Sequence, residues 1–283
     1  MVLAKRQVAI DEVACSLQIS HGTAYQIIHD KLSFHKLCAR WVPRELTAEH
    51  KCKRVEICQR LLDRYNKEGE EFLSRIVTGD ETWVNHYEPE SKRQSMEWTH
   101  PGSPAKKKFK TQHSAGKVML TVFWDSKGPI LEDYLEKGHT INSARYSDLL
   151  ANNLKPAIRT KCRGLLLKKV LLLHDNARPY TASQTIETIN HLGFEVLEHP
   201  AYSPDLAPSD YHLFGLLKNA LWGRRFSMDK EVREAVHKWL HNQPKTFFLE
   251  GIRKPVDCWT KRIEKEGNYV EKWCTRSGLH LCK

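Results

Sequence analysis

The chain has 283 residues, of which 40% are hydrophobic and 28% charged, and its formal net charge is +11. This length suits one or two domains, and no run of about 18 apolar residues is present to span a bilayer. The first residues lack an apolar core followed by a small-residue cleavage site, so they predict no signal peptide. We therefore expect an intracellular globular protein with no membrane partner.

The positive charge is concentrated in the middle of the chain. Residues 101–170 hold fourteen Lys/Arg against five Asp/Glu, a balance of +9, whereas residues 1–70 hold twelve against nine, a balance of +3. An excess this local favours nucleic acid as a partner over an ordinary solvated surface. The eight cysteines include no CxxC pair, so neither a disulfide framework nor a cysteine zinc site is predicted.

Residues 1–40 predict a small all-α domain. One apolar face of a first helix is formed by Val8, Val13, Ala14 and Leu17, and Ser20 is a suitable N-cap for a second helix. In that helix Ala24, Ile27, Ile28 and Leu32 would pack back on the first. Such a helix-turn-helix presents outward side chains of its second helix to DNA bases, here His21, Thr23, Tyr25 and Gln26. A helical hairpin that only packs is the alternative.

Residues 41–70 predict a linker and a connecting helix, because Pro43 interrupts the helical pattern and an amphipathic run follows it. Residues 71–273 then predict an α/β domain, since strand patterns alternate with helical ones. The strand patterns cover 75–84, 117–125, 168–177 and 194–200, and the helical patterns cover 143–162, 181–193 and 209–223.

A long basic loop is predicted over residues 86–113. It contains Lys106, Lys107, Lys108 and Lys110. These lysines would either follow a DNA phosphate backbone or simply keep the loop solvated.

Three aspartates stand out by position. Asp80 and Asp175 each lie within or at the end of an apolar strand, where a carboxylate costs free energy unless a cation or strong donors compensate it. Asp210 lies at a helix start, after the loop bracketed by Pro204 and Pro208. Each could merely cap a turn or helix. Together they could hold two Mg²⁺ or Mn²⁺ ions, because these hard cations prefer carboxylate oxygens.

Four segments carry a resemblance to a known family. In order, "WVPREL", "TGDETWV", "HDNARPYTA" and "YSPDLAPSDYHLF" resemble the mariner transposases, and 34 residues separate Asp175 from Asp210 as in that family. The resemblance runs from about residue 5 to about residue 273. It implies a ribonuclease-H-like catalytic domain, a mixed central sheet flanked by helices, with Asp80, Asp175 and Asp210 as catalytic metal ligands. By the same matching, Asp205 belongs to the motif but is not a ligand.

The resemblance also implies an activity. Mariner transposases cut double-stranded DNA at terminal inverted repeats and join the freed 3′ ends to target DNA at TA dinucleotides. They work as homodimers, and the stretch 86–113 would reach toward the partner subunit. The nucleus is then the expected compartment. A derivative that binds such DNA without transposing it is the alternative, and a general ribonuclease or resolvase is disfavoured by the helix-turn-helix.

Three departures from the family pattern are expected to matter. The family has two helix-turn-helix units, and this chain aligns from just before the second, so the first is expected to be missing. Tyr180 stands where a histidine is usual. Residues 274–283 lie past the usual end and are expected to be an appended tail. The three aspartates are unaffected by these departures.

Overall fold

The computed structural model describes residues 2–3, 5–36, 42–91, 94–97, 100, 102–103, 107, 109 and 111–270. The chain folds as two compact units, one reaching to Val42 and the other beginning at Pro43. None of the helices in these described ranges is both long and apolar enough to cross a membrane.

The first unit is built on two short helices. They are α1 (Ile10–Leu17) and α2 (His21–Gln26), and a π-helical turn, Ile27–Lys31, continues α2. Gln18 ends α1 in a left-handed conformation, with φ of 53°, so the chain turns within a few residues. The Ser20 hydroxyl accepts a hydrogen bond from the Thr23 N–H at 3.0 Å, which confirms it as the N-cap of α2.

The core of this unit is smaller than the sequence predicts. Val8, Val13 and Ile28 form it, but Leu17 and Leu32 are each 55% exposed, so their prediction as packing residues was wrong. Leu17 is the last residue before the left-handed turn, and the π-helical turn before Leu32 changes the face on which later residues emerge. The side chains predicted to face DNA, His21, Thr23, Tyr25 and Gln26, are all exposed.

The second unit is an α/β structure. Its helices are α3 (Ala48–Glu68), α4 (Glu70–Ser74), α5 (Ser143–Asp148), α6 (Lys155–Lys161), α7 (Arg178–Thr181), α8 (Ser183–Leu192), α9 (Gly215–Leu221), α10 (Asp229–His241) and α11 (Lys245–Glu264). Its strands are β1 (Ile76–Asn85), β2 (Lys117–Asp125), β3 (Gly128–Leu135), β4 (Leu171–Leu173) and β5 (Glu195–Val196). The long helix α3 lies in this unit and packs along α11.

The five strands form one mixed sheet in the order β3-β2-β1-β4-β5. The pairs β1–β2 and β2–β3 are antiparallel, whereas β1–β4 and β4–β5 are parallel. Helices α3, α9, α10 and α11 cover one face of the sheet, and α5, α6 and α8 cover the other. This arrangement confirms the predicted mixed sheet flanked by helices.

A glycine in the central strand lies directly against an aromatic ring. Gly79 in β1 pairs with Phe123 in β2, and a Cβ added at Gly79 would lie 2.3 Å from Cε1 of that ring. The ring therefore occupies the space that a side chain would need. This close contact fixes the strand one residue before Asp80.

The basic loop 86–113 is anchored where it leaves the sheet. The His86 N–H donates to the Gly116 carbonyl at 2.9 Å, and the His86 ring hydrogen-bonds to Asp229 at 2.7 Å. Farther out, Lys107 is exposed. Lys106, Lys108 and Lys110 lie outside the described residues, so DNA contact by these lysines stays a prediction.

Candidate active site

Two neighbouring parallel strands position the first two aspartates. Thr78 in β1 pairs with Leu173 in β4, and two residues farther along each chain come Asp80 and Asp175. Since parallel strands run in register, this pairing brings the two carboxylates side by side, just beyond the last paired residues of β1 and β4. Asp80 is half-buried and Asp175 is exposed.

The third aspartate is held by a π-helical turn, Ser209–Phe214, that packs against β1. The Asp210 N–H donates to the Ala207 carbonyl at 3.1 Å. The preceding residue, Ser209, is fully buried, and its hydroxyl accepts a hydrogen bond from the Trp124 indole N–H at 3.1 Å. This contact fastens the residue next to Asp210 to the second strand of the sheet.

The pKa values of all three aspartates are raised, mainly by desolvation. Partial burial raises the pKa of Asp80 well above its usual range, and the charge of Asp210 raises it further. Burial raises the pKa of Asp210 to about 6, with the charge of Asp175 adding to the shift. Although Asp175 is exposed, partial desolvation of its carboxyl group by the surrounding residues also raises its pKa, against a hydrogen bond from the Ala177 N–H at 2.9 Å. Bringing the three together is therefore unfavourable without a cation.

Few protein groups neutralise the negative charge of Asp80, Asp175 and Asp210. Among the described residues, none of the three aspartates has an ion pair within 4.0 Å. Asp80 accepts the N–H of Glu81 at 2.7 Å, and Asp175 accepts the N–H of Ala177. A set of converging carboxylate oxygens with unmet charge suits a divalent cation such as Mg²⁺ or Mn²⁺.

We expect Asp210→Asn to stabilise the metal-free protein. The Asp210 pKa is near 3.8 when unfolded and about 6 when folded, so ionisation costs stability as pH rises from 3.8 through 6. Part of the Asp210 side chain stays in contact with solvent, and screening by that solvent limits the gain in the free energy of unfolding to about 1 kcal/mol above pH 7. This corresponds to an increase of about 3 °C in Tm. Thermal unfolding in a chelator at pH 5 and pH 8 should show the larger gain at pH 8.

The matched control is Asp257→Asn, an exposed aspartate of α11, which should leave Tm unchanged at both pH values. Adding Mg²⁺ at pH 8 should raise the Tm of the wild type and have less effect on Asp210→Asn. Equal Tm values for the wild type and Asp210→Asn at pH 8 in the chelator would contradict the electrostatic account.

Asp205 lies only five residues before Asp210 but in a different environment. It belongs to a 3₁₀ turn, Pro204–Leu206, and its carboxylate takes hydrogen bonds from Arg54 at 2.8 and 3.1 Å and from Arg262 at 2.7 Å. Burial alone would raise the pKa of Asp205, but the hydrogen bonds and charges of the two arginines hold it below the usual value. The structure thus separates Asp205 from the cluster of three.

A fourth carboxylate, Glu81, was not among the residues singled out from the sequence. It follows Asp80 directly, and it accepts a hydrogen bond from the Tyr180 hydroxyl. Burial raises the pKa of Glu81 to about 7, although the Tyr180 hydrogen bond lowers it. Tyr180 stands at the position where the family resemblance leads us to expect a histidine, and its hydroxyl is the hydrogen-bond donor to the Glu81 carboxylate. The adjacency of Glu81 to Asp80 was the available sequence signal.

The residues flanking Asp175 make contacts within the protein. His174 is buried, and its Nδ1 lies 3.1 Å from the Tyr146 hydroxyl. Burial lowers the pKa of His174 to about 4, so the ring is neutral at pH 7. The Asn176 amide donates to the His199 carbonyl.

Comparisons with known proteins agree with this architecture. The family described as Transposase (partial DDE domain) matches residues 88–168. Mariner Mos1 transposase of Drosophila mauritiana is 36% identical over 262 residues, covering 92% of this chain and 74% of that protein. Histone-lysine N-methyltransferase SETMAR of Homo sapiens is 35% identical over 260 residues, covering 92% of this chain but 37% of that protein. The crystal structure of the Mos1 mariner paired end complex with Mn has a TM-score of 0.82 at 35% identity, covering 95% of this chain and 78% of that one.

A mixed sheet of this order, with one carboxylate within its central strand, a second just after the neighbouring parallel strand and a third on an adjoining turn, defines the ribonuclease-H-like class of catalytic domains. The similarity to Mos1 extends over nearly the whole chain and includes the preceding helical region. The chain belongs to the mariner family of transposases.

Proposed function

We propose that this chain cleaves double-stranded DNA at terminal inverted repeats and joins the freed 3′ ends to target DNA at TA sites. Asp80, Asp175 and Asp210 form the catalytic centre. Asp80 and Asp175 would share one Mg²⁺ or Mn²⁺ ion, and Asp210 would help to hold a second. The proposed setting is a homodimer in the nucleus, as expected for a mariner transposase acting on chromosomal DNA.

The observation that carries this proposal is the cluster of three carboxylates, brought together by β1, β4 and the turn Ser209–Phe214, that lack a compensating ion pair among the described residues. Bound between such carboxylates, two divalent ions activate a water or a 3′-hydroxyl and stabilise the leaving oxygen of a phosphodiester. The similar Mos1 mariner paired end complex was determined with Mn, which supports a divalent metal here.

The chain's own residues would position this centre. The register between β1 and β4 aligns Asp80 with Asp175, and the contact between Trp124 and Ser209 fixes the turn that carries Asp210. The Glu81 carboxylate accepts a hydrogen bond from the Tyr180 hydroxyl instead. This leaves Asp80, Asp175 and Asp210 as the ligands that we propose, with His174 and Asn176 as neighbours.

DNA binding is assigned to two regions. In the first unit, His21, Thr23, Tyr25 and Gln26 line the exposed side of α2, where a helix-turn-helix reads base edges. In the loop 86–113, the lysines would contact phosphates without reading sequence.

The test is a Mg²⁺-dependent nicking assay on a duplex that ends in a mariner terminal inverted repeat. We expect the wild type to nick the duplex in Mg²⁺ or Mn²⁺ and not in a chelator. Asp175→Ala should be inactive while it still binds the duplex, because phosphate contacts rather than this carboxylate supply the affinity.

Equal nicking by the wild type and Asp175→Ala would contradict the assignment of the site. No nicking by either protein, with binding retained, would favour a transposase derivative that binds DNA without mobilising it. Asp257→Ala is the matched control, and it should nick at the wild-type rate.

A further inference from the structure

A second group of potential metal ligands lies on the edge strand of the sheet. Glu132 is in β3, and His237 and His241 are in α10, which packs against that strand. Histidines four residues apart lie on the same side of a helix, so both rings face Glu132. The two ring centroids are 4.0 Å apart.

The spacing of the donor atoms fits a transition metal. His237 Nδ1 lies 3.1 Å and His241 Nδ1 lies 3.5 Å from Oε1 of Glu132, and one ligand atom from each residue lies within 4.8 Å of the other two. The His241 Nδ1–H also donates to the His237 carbonyl at 3.0 Å, so an ion bound at this nitrogen would replace that proton. Zinc binds nitrogen and oxygen at about 2.0–2.2 Å, so ligand atoms around a tetrahedral ion lie about 3.3 Å apart. Two imidazoles and one carboxylate form a common zinc donor set.

The surroundings of Glu132 hold it in place. Its side chain is 11% exposed, whereas those of His237 and His241 are 63% and 41% exposed, so an ion could enter from solvent. The Tyr134 hydroxyl lies 3.5 Å from the second carboxylate oxygen of Glu132. Such an outer partner orients a ligating carboxylate.

Two cations border the same cleft, and both are engaged elsewhere. Arg233 lies over the Tyr134 ring at 4.9 Å, and the Lys161 amine is 3.5 Å from the Pro129 carbonyl. Neither is within 4.0 Å of the Glu132 carboxylate in the described part of the chain. The carboxylate therefore faces the two imidazoles.

This group is distinct from the catalytic centre. Glu132 pairs with Val122, and Val122 pairs in turn with Asp80, so two strand spacings separate Glu132 from Asp80. That amounts to about 10 Å, too far for one ion to be shared between the two groups.

We propose that Glu132, His237 and His241 form a Zn²⁺ site with a solvent-facing fourth position. Bound there, the ion would link the last turns of α10 to the edge strand β3. The site uses nitrogen ligands, so it would select Zn²⁺ in the presence of excess Mg²⁺, which prefers oxygen ligands.

The test is a titration of the full chain with Zn²⁺ in excess Mg²⁺, followed by competition with a colorimetric zinc chelator. We expect the wild type to bind one equivalent of Zn²⁺. His237→Ala and His241→Ala should each lower the affinity for this ion at least about tenfold. His191→Ala removes an exposed histidine from the last turn of α8 and should leave that equivalent unchanged. Asp175→Asn should also leave it unchanged, which distinguishes the site from the catalytic centre.

Zn²⁺ should also raise the Tm of the wild type in excess Mg²⁺ and not that of His237→Ala, because the ion binds only the folded site. Circular dichroism would check that each variant is folded. Glu132→Gln keeps the shape of the side chain, and we expect it to weaken Zn²⁺ binding as well. Equal Zn²⁺ binding by the wild type and the histidine variants, or no Zn²⁺ bound in excess Mg²⁺, would overturn the proposal.

Discussion

Asp210→Ala is expected to reduce Mg²⁺-dependent DNA cleavage at least about 1,000-fold, the scale seen when one essential group is removed from a catalytic centre. Affinity for the terminal-repeat duplex should stay within about threefold of the wild-type value or rise. Removing the carboxylate takes a negative charge away from the approaching phosphates, and it relieves repulsion of Asp80 and Asp175. Single-turnover cleavage and a separate binding titration would measure the two effects.

Thermal unfolding of Asp210→Ala distinguishes a catalytic role from a structural one. The variant should unfold at or above the wild-type Tm in a chelator, because it loses a repelling charge and no ion pair. Asp257→Ala, also an exposed aspartate of the second unit, should cleave as the wild type does. Cleavage within tenfold of the wild type would show that Asp210 is dispensable, and a joint loss of affinity and Tm would make it a structural residue.

Local patterns in the sequence predicted most of the sheet. β1, β2 and β4 overlap the predicted segments 75–84, 117–125 and 168–177, although β1 continues past Asp80 to Asn85 and β4 covers only Leu171–Leu173. The edge strand β3 was not predicted. It contains Glu132, which lies 3.1 Å from His237, 105 residues away, and Asp133, which pairs with Arg145 at 2.7 Å, 12 residues away. Charge in a strand is uninformative until its partner is known.

The last helix was missed for a related reason. α11 contains Gly251 and Pro255, residues that usually interrupt a helix. In the structure Gly251 lies against Trp124, where an added Cβ would be 2.7 Å from the indole, and Pro255 is buried. Packing against the sheet thus outweighs the local propensity of both residues.

The residues of the candidate site also fall into two groups, those that local sequence signals predict and those whose roles depend on partners distant in sequence. The positions of Asp80, Asp175 and Asp210 follow from strand ends and from a proline-bracketed helix start, which are local signals. Glu81 was signalled by its adjacency to Asp80, but its partner Tyr180 is 99 residues away, and the role of Asp205 depends on Arg54, 151 residues before it. The helix that carries Arg54 was interpreted as a connecting element, because a buried arginine cannot be recognised from helical periodicity.

Arg54→Met is expected to destabilise the second unit by about 3–5 kcal/mol, which lowers Tm by about 10 °C. The Arg54 side chain is fully buried, and it joins Asp205 and Ser203 to the Gly267 carbonyl at 2.8 Å. Its removal leaves Asp205 with one arginine instead of two in a site that excludes water. Thermal and denaturant unfolding of the full chain would measure the loss.

Arg60→Met is the matched control, because Arg60 also lies on α3 and also pairs with a distant carboxylate, that of Glu198. Both of those side chains are more than half exposed, so their ion pair should contribute less than about 1 kcal/mol. Similar Tm losses in the two variants would mean that α3 contributes by apolar packing rather than through the buried charges.

Arg54→Met is also expected to affect the site that holds Asp210. The Asp210 N–H donates to the carbonyl of Ala207, which lies two residues after Asp205. Arg54→Met should therefore lower cleavage even below its own Tm, although Arg54 has no contact with Asp80, Asp175 or Asp210 within the described residues.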